Sequence, residues 1–158
     1  MDRVVAAVSL GSNLGDRRAH LDFAVARLRT LLANLRVSPY HDTEPVGVPD
    51  RQPLFLNAAA VGDTSLGARD LLDALLAIER ERGRERPFPG AARTLDLDLV
   101  LYGSLVMDEP GLIIPHPRFR ERLFVLDPLA ETAPDLVDPV TGSNVASLLA
   151  RLNASPMS

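Results

Sequence analysis

The order of apolar segments along the chain predicts an α+β fold in which two helices cover one face of an antiparallel sheet. Two long segments carry apolar residues at helical spacing, one following Asp16 and one beginning at Ser65. Shorter apolar or strictly alternating segments before, between and after them are typical of strands. The resulting β-α-β-β-α-β order is typical of a ferredoxin-like sandwich, and we expect a single domain over residues 1–158.

Residues at the ends of the predicted helices and strands, and in the loops between them, support this order. Asp16 is a suitable N-cap for the first helix, whose leucines recur as far as Leu35, and Pro39 predicts an edge or a bulge in the second strand. Proline- and glycine-containing loops precede the third and fourth strands, and a hairpin near Leu105 and two small helices complete the chain. The predicted strands cover 3–10, 35–43, 54–63, 94–102 and 112–114, and the small helices lie around 120–129 and 144–152.

Composition excludes several kinds of chemistry. All seventeen basic residues among the 158 are arginine, and the chain has no lysine, cysteine or tryptophan. P-loop, protein-kinase and Schiff-base mechanisms require a lysine, and thiol catalysis and disulfides require cysteine. The formal net charge of −4 does not favour nucleic-acid binding, and the apolar run ending near Leu10 is too short for a signal peptide or a membrane span. We therefore expect a cytoplasmic protein with no nucleic-acid or membrane partner.

The segment 94–101 alternates strictly, so that Asp96 and Asp98 share the face opposite its leucines at 95, 97, 99 and 101. Two carboxylates roughly 7 Å apart along a strand repel one another unless a cation lies between them. Mg²⁺ suits this arrangement, because it binds through one or two carboxylates together with substrate phosphates. The alternative is a solvated strand face. Metal-dependent glycosyltransferases also use paired aspartates.

The loop before this strand contributes Arg84, Arg86 and Arg93. Guanidinium groups bind phosphate oxygens in a bidentate manner, so a loop of arginines beside two carboxylates predicts a polyphosphate site. Pairing with nearby glutamates on a solvated surface is the alternative, and it best suits Arg80 and Arg82.

Polar residues in apolar surroundings mark three further candidates. Glu79 lies on or beside the apolar face of the second helix, where a carboxylate must pair or bind something. Asn57 lies among apolar residues, where it can satisfy core backbone groups or recognise the edge of a heterocycle. His116 lies between two prolines and suits either phosphate contact or a structural role in the loop. His20 and His41 are expected to be ordinary surface residues.

Several segments together resemble the 6-hydroxymethyl-7,8-dihydropterin pyrophosphokinase family of folate biosynthesis. The resemblance runs from the first strand to about Pro139, in the family's order. It is carried by residues 9–16 (SLGSNLGD), 55–59 (FLNAA), 93–98 (RTLDLD), 115–119 (PHPRF) and 122–134 (RLFVLDPLAETAP).

The resemblance implies that the pterin hydroxymethyl oxygen attacks the β-phosphorus of ATP, so that pyrophosphate is transferred and AMP leaves. It implies two Mg²⁺ ions held by Asp96 and Asp98, with Arg84 and Arg93 also catalytic. The implied ATP-phosphate contacts are Arg84, Arg86, Arg93, His116 and Arg122. The implied pterin-binding residues are Thr43, Val46, Phe55, Asn57, Glu79 and Phe124.

The loop before the aspartate strand departs from the family pattern. The family commonly has a tryptophan there, whereas residues 87–93 read PFPGAAR, so Phe88 is the candidate substitute. Two other classes fit parts of the sequence: a metal-dependent nucleotidyl- or glycosyltransferase, and a non-catalytic ferredoxin-like ligand sensor. The first usually needs a larger nucleotide-binding domain, and the second needs no paired aspartates beside arginines. We expect the protein to be a monomer.

Overall fold

The computed structural model describes residues 3–43, 54–83 and 94–154. A short 3-10 helix (Phe119–Glu121) precedes the third α-helix. The strands and helices are, in chain order, β1 (Val4–Ser12), α1 (Arg17–Leu31), β2 (Ala33–Val37), β3 (His41–Thr43), β4 (Phe55–Thr64), α2 (Ala68–Gly83), β5 (Asp96–Tyr102), β6 (Met107–Glu109), β7 (Leu112–Ile114), α3 (Leu123–Thr132) and α4 (Val145–Ala154).

The main sheet has the strand order β2-β4-β1-β5, and every pairing in it is antiparallel. The short strand β3 pairs with the opposite end of β4 from β2, and β6 and β7 form a separate hairpin. This topology confirms the predicted α+β fold with an antiparallel sheet.

The predicted strand 35–43 is two strands, because the backbone is interrupted around Pro39. The Ser38 N–H donates to the Ala59 carbonyl, and the Ser38 hydroxyl accepts the Ala59 N–H at 2.9 Å, which replaces a ladder bond with a side-chain bond. Proline has no N–H to continue the ladder. Helix α1 also ends before Leu35, and Asn34, with φ of 54°, lies within β2 where its register with β4 shifts.

Helices α1 and α2 pack on one face of the sheet. Asp16 caps α1 by accepting the Ala19 N–H at 3.1 Å, and the helix buries Leu21, Ala24 and Leu28. At the end of α1, strand β4 approaches so closely that a Cβ on Gly62 would lie 2.8 Å from the Leu32 Cβ. This close approach explains the glycine.

Helices α3 and α4 cover the other face and form a third layer with Phe119. Their apolar cluster includes Val100 and Leu101 from β5, whereas Leu97 and Leu99 belong to the cluster under α1 and α2. The prediction that Leu101 shares a face with the other leucines was therefore wrong. A register shift opposite Ala7 and Val8 places one extra β5 residue in the ladder and reverses the alternation there.

The expectation that His20 is an ordinary surface residue was also wrong. His20 is half-buried, its Nδ1 accepts a hydrogen bond from Arg82 Nε at 2.8 Å, and burial together with the Arg82 charge lowers its pKa. The Arg82 guanidinium also lies 5.0 Å from the centre of the Phe23 ring. His41 pairs with Glu131 of α3. Among the described residues, none of the helices has the length and apolar character needed to cross a membrane.

Asp138 anchors the segment between α3 and α4. Its side chain is fully buried, and both carboxylate oxygens accept hydrogen bonds from Arg120. Oδ2 accepts from Nε at 2.5 Å, and Oδ1 accepts from Nη2 at 3.0 Å. Burial alone would raise the pKa of Asp138, but hydrogen bonds from Arg120, Thr141 and the Val140 N–H, with the Arg120 charge, lower it to about 2. Arg120 thus forms an ion pair that fixes the segment between α3 and α4.

This pair makes the free energy of unfolding depend on pH. Because the folded pKa lies below the ordinary 3.8, the stabilisation is complete above about pH 4 and is lost as the pH falls through 2. We expect a contribution of about 2 kcal/mol over that interval. In urea titrations between pH 2 and 7, the difference between the wild type and Asp138→Asn should shrink as the pH falls. Asp135→Asn, at an exposed position nearby, is the control; a difference that stays constant with pH contradicts the assignment.

Candidate active site

The paired carboxylates lie on β5, the edge strand of the sheet beside β1. Asp96 pairs with Gly11 and Asp98 with Ser9, while Leu95, Leu97 and Leu99 pack under α1 and α2. The predicted shared face is confirmed, and it is the face on which α3 and α4 pack. Both aspartates are half-buried, which strengthens their electrostatic interaction with any bound cation relative to open water.

Glu79 reaches the same strand from α2. One carboxylate oxygen accepts the Leu97 N–H at 2.6 Å, so the contact falls on the residue between Asp96 and Asp98. An edge strand has backbone groups with no partner strand, and a side-chain acceptor can satisfy them. Glu79 therefore supports the backbone that carries both aspartates.

A cleft of about 370 Å³ opens between this edge, α2 and the β6–β7 hairpin. Its polar lining is formed by Glu79, Asp96, Asp98 and His116. Its apolar lining includes Leu72, Leu76, Leu99, Leu112 and Ile113. A concave site with a few convergent polar groups on an apolar wall is typical of small-molecule binding.

His116 and Arg122 extend the polar end of this cleft. The His116 N–H donates to the Val100 carbonyl at 3.0 Å, which ties the loop after β7 to β5. Burial and the Arg122 charge lower the pKa of His116, and the Asp96 charge opposes them, so the imidazole is neutral at pH 7. The Arg122 guanidinium lies 5.5 Å from the centre of the Phe124 ring, at the beginning of α3. His116 thus interacts electrostatically with both Arg122 and Asp96.

A second group of predicted residues lies on β3 and β4. The buried Asn57 donates its amide N–H to the Thr43 hydroxyl, and Thr43 is paired with Phe55 in the ladder. Gly11 lies against this group: a Cβ there would be 3.2 Å from Asn57 Oδ1 and 3.7 Å from Phe55 Cδ1. The role of Gly11 was missed by sequence reasoning, although it lies within the glycine-containing segment 9–16.

Gly11 connects the two groups. It pairs with Asn57 on β4 and with Asp96 on β5, so that these three residues form one row across adjacent strands. Two strand spacings separate Asn57 from Asp96, which is roughly 10 Å. The sheet thus presents an amide at one end of the row and a carboxylate at the other, with no side chain between them.

Some predicted residues lie outside the described part of the chain. These are Val46, in the segment 44–53, and Arg84, Arg86, Phe88 and Arg93, in the segment 84–93.

Residues 7–134 match the profile of the family described as 7,8-dihydro-6-hydroxymethylpterin-pyrophosphokinase (HPPK). The chain belongs to the HPPK family. It is 45% identical over 145 residues to the 2-amino-4-hydroxy-6-hydroxymethyldihydropteridine pyrophosphokinase of Pseudomonas aeruginosa, covering 90% of this chain and 88% of the relative. The Bacillus subtilis enzyme of the same description is 45% identical over 129 residues, covering 80% of this chain and 77% of that one.

A solved structure shares the fold of this HPPK chain. Wild-type HPPK-DHPS of Plasmodium falciparum superposes with a TM-score of 0.75 over 95% of this chain at 13% identity. This chain spans 45% of the length of that protein. The chain is accordingly a pyrophosphokinase of folate biosynthesis, and the nucleotidyl- or glycosyltransferase and ligand-sensor alternatives are set aside.

Proposed function

We propose that the protein transfers pyrophosphate from ATP to 6-hydroxymethyl-7,8-dihydropterin on the row formed by Asn57, Gly11 and Asp96. The observation that carries this proposal is the row itself. A pterin held at Asn57 would direct its hydroxymethyl group along the sheet toward phosphates held near Asp96. The absence of a side chain at Gly11 leaves room for the ligand between them.

The carboxylate end of the row fits Mg²⁺. Asp96 and Asp98 supply hard oxygen donors, and the described residues contain no group of three or more histidine, aspartate or glutamate side chains arranged as a complete metal cage. Such an incomplete donor set suits a metal whose remaining ligands are phosphate oxygens and water. We assign Asp96 and Asp98 as the holders of two Mg²⁺ ions, which when bound would neutralise charge on the triphosphate.

The cleft beside β5 has the chemistry for the nucleotide. Its apolar wall of Leu72, Leu76 and Ile113 would accept the nucleoside, while the polar end would receive the phosphates. Neutral His116 can donate a hydrogen bond to a phosphate oxygen, and Arg122 can supply positive charge beside it. Arg84, Arg86 and Arg93 are proposed as further phosphate contacts, with Arg84 and Arg93 acting in catalysis.

The pterin end combines flat rings with a hydrogen-bonding edge. Asn57 and Thr43 would recognise donor and acceptor groups of the pterin, with Val46 contributing from the neighbouring loop. Phe55 on β4 and Phe124 on α3 would stack on the heterocycle, since both lie on the side of the sheet that α3 covers. The contact of Glu79 with the pterin stays a prediction, and Glu79 also accepts the Leu97 N–H.

The reaction needs positioning more than a protein nucleophile. The pterin hydroxymethyl oxygen forms a bond to the β-phosphorus of ATP and loses its proton. The bond from that phosphorus to the oxygen bridging the α-phosphorus breaks, and AMP leaves with the bridging oxygen. The chain's residues would align the two reactants and counter the charge that develops on the leaving AMP. We propose that the protein does this as a single-domain monomer in the cytoplasm.

The direct test is product analysis. Purified protein incubated with Mg-ATP and reduced 6-hydroxymethyl-7,8-dihydropterin should yield AMP and the pterin diphosphate in equal amounts, measured by anion-exchange chromatography. Omitting the pterin should abolish AMP formation. Formation of ADP, or AMP formation that does not depend on the pterin, would contradict the proposal.

A further inference from the structure

Arg17, the first residue of α1, makes two hydrogen bonds to the strands that carry the proposed pterin site. Its Nη1 atom donates to Asp42 Oδ1 at 2.7 Å and to the Leu54 carbonyl at 2.7 Å. Asp42 is the middle residue of β3, and Leu54 immediately precedes β4. One guanidinium nitrogen therefore joins α1 to both strands.

The two contacts lie next to proposed ligand-binding residues. Asp42 precedes Thr43 and Leu54 precedes Phe55, and Thr43 and Phe55 are paired in the β3–β4 ladder. Asp42 is covalently joined to Thr43, and Leu54 to Phe55. A change in the distance between Asp42 and Leu54 would therefore change the distance between Thr43 and Phe55.

Strand β3 is short. It has only three residues, and its ladder with β4 comprises three residue pairs. Since side chains alternate across a strand, His41 and Asp42 point to opposite faces. His41 pairs with Glu131 of α3 on one face, and Asp42 pairs with Arg17 of α1 on the other. The strand is thus held between α3 and α1 by one side-chain contact on each face.

We propose that Arg17 is a positioning residue for the pterin side of the site, acting through Asp42 and Leu54 on Thr43 and Phe55. The inference rests on the proposed function. It concerns the affinity for the pterin. Among the hydrogen bonds of the described residues, none joins Arg17 to the cleft beside β5. A lysine can reproduce this role only in part, because its side chain is shorter than that of arginine.

The experiment separates the two ends of the row by isothermal titration calorimetry. The probes are 6-hydroxymethylpterin, titrated in the presence of Mg²⁺ and α,β-methylene-ATP, and Mg-α,β-methylene-ATP alone. In Arg17→Met we expect the pterin Kd to rise about tenfold, while the nucleotide Kd stays within about twofold of the wild type. Arg17→Lys should weaken pterin binding by an intermediate amount, and it serves as the primary variant if Arg17→Met does not fold.

Two further variants test whether the effect is specific to Arg17 and whether it acts through Asp42. Arg36→Met is the matched control, because Arg36 also donates to a backbone carbonyl, that of Thr132, at a surface away from the row. The double variant Arg17→Met/Asp42→Asn should bind pterin no more weakly than the weaker of the two single variants, since the two side chains act through one another.

The outcomes are distinct. A pterin Kd unchanged in Arg17→Met and Arg17→Lys, or equal weakening of pterin and nucleotide binding, overturns the role of Arg17. Additive effects in the double variant overturn the route through Asp42. Failure of the wild-type protein to bind the pterin at all would instead count against the proposed function.

Discussion

Replacing Asp98 with asparagine should lower kcat by about 1000-fold or more while leaving the fold unchanged. The substitution keeps the size of the side chain but removes the negative charge that we propose is needed to hold Mg²⁺ on the triphosphate. Asp98 is half-buried on an edge strand whose leucines remain packed under α1 and α2, so the sheet should persist. Steady-state AMP formation and circular dichroism test the two parts of this prediction.

The magnesium dependence makes the test specific. In Asp98→Asn, the Mg²⁺ concentration needed for half-maximal nucleotide binding should rise, while binding of the pterin to Asn57 should change little. Asp73→Asn, at an exposed position on α2, carries the same chemical change away from the cleft and should behave as the wild type. Ordinary turnover in Asp98→Asn would remove the basis for a metal role of the aspartate pair.

Replacing Glu79 with leucine should lower kcat by about 100-fold, because the Leu97 N–H would lose its acceptor and the strand between Asp96 and Asp98 would shift. Glu79→Gln should retain turnover to within about fivefold, since the glutamine side-chain carbonyl can accept the same hydrogen bond. Single-turnover kinetics, with pterin and nucleotide affinities measured separately, compare the two variants.

The comparison distinguishes two roles for Glu79. If the carboxylate supports β5, the leucine variant loses activity, the glutamine variant keeps it, and neither changes the pterin Kd greatly. If Glu79 contacts the pterin, as the family resemblance implies, Glu79→Gln should weaken pterin binding by about tenfold or more. Glu81→Gln is the matched control, because Glu81 lies on the same helix and pairs with Arg27 at the surface.

Short-range patterns predicted much of the fold because the determining interactions are local. Alternation along β5 placed Asp96 and Asp98 on one face, and the cap at Asp16 with its following apolar stripe predicted α1. The same local rules failed where a partner strand decided the outcome. Leu101 lies on the other face from Leu99 because of the register with β1, and Ser38 interrupts the predicted strand 35–43 because of its bonds to Ala59.

The candidate site residues also divide into those that sequence motifs indicated and those whose roles required the structure. The sequence motifs picked out Asn57, Asp96 and His116, because polar residues in apolar segments or beside fixed backbone are conspicuous without a structure. The role of Gly11 required the pairing of β1 with both neighbouring strands. The contacts of Arg17 reach residues 25 and 37 positions away in the chain, and no local pattern indicates them.

The sequence by itself determined the order of helices and strands, the shared face of the two aspartates and, through its motifs, the pyrophosphokinase family. An arginine-only set of cations was compatible with that chemistry, because phosphate contacts need positive charge but no amine nucleophile. The tertiary structure decided the long-range arrangement: Glu79 bonds to the β5 backbone, Arg17 bonds to β3 and to the residue before β4, and Asn57 and Asp96 lie in one row on either side of Gly11. These contacts depend on strand register and helix packing, which are set by the whole core and not by neighbours in sequence.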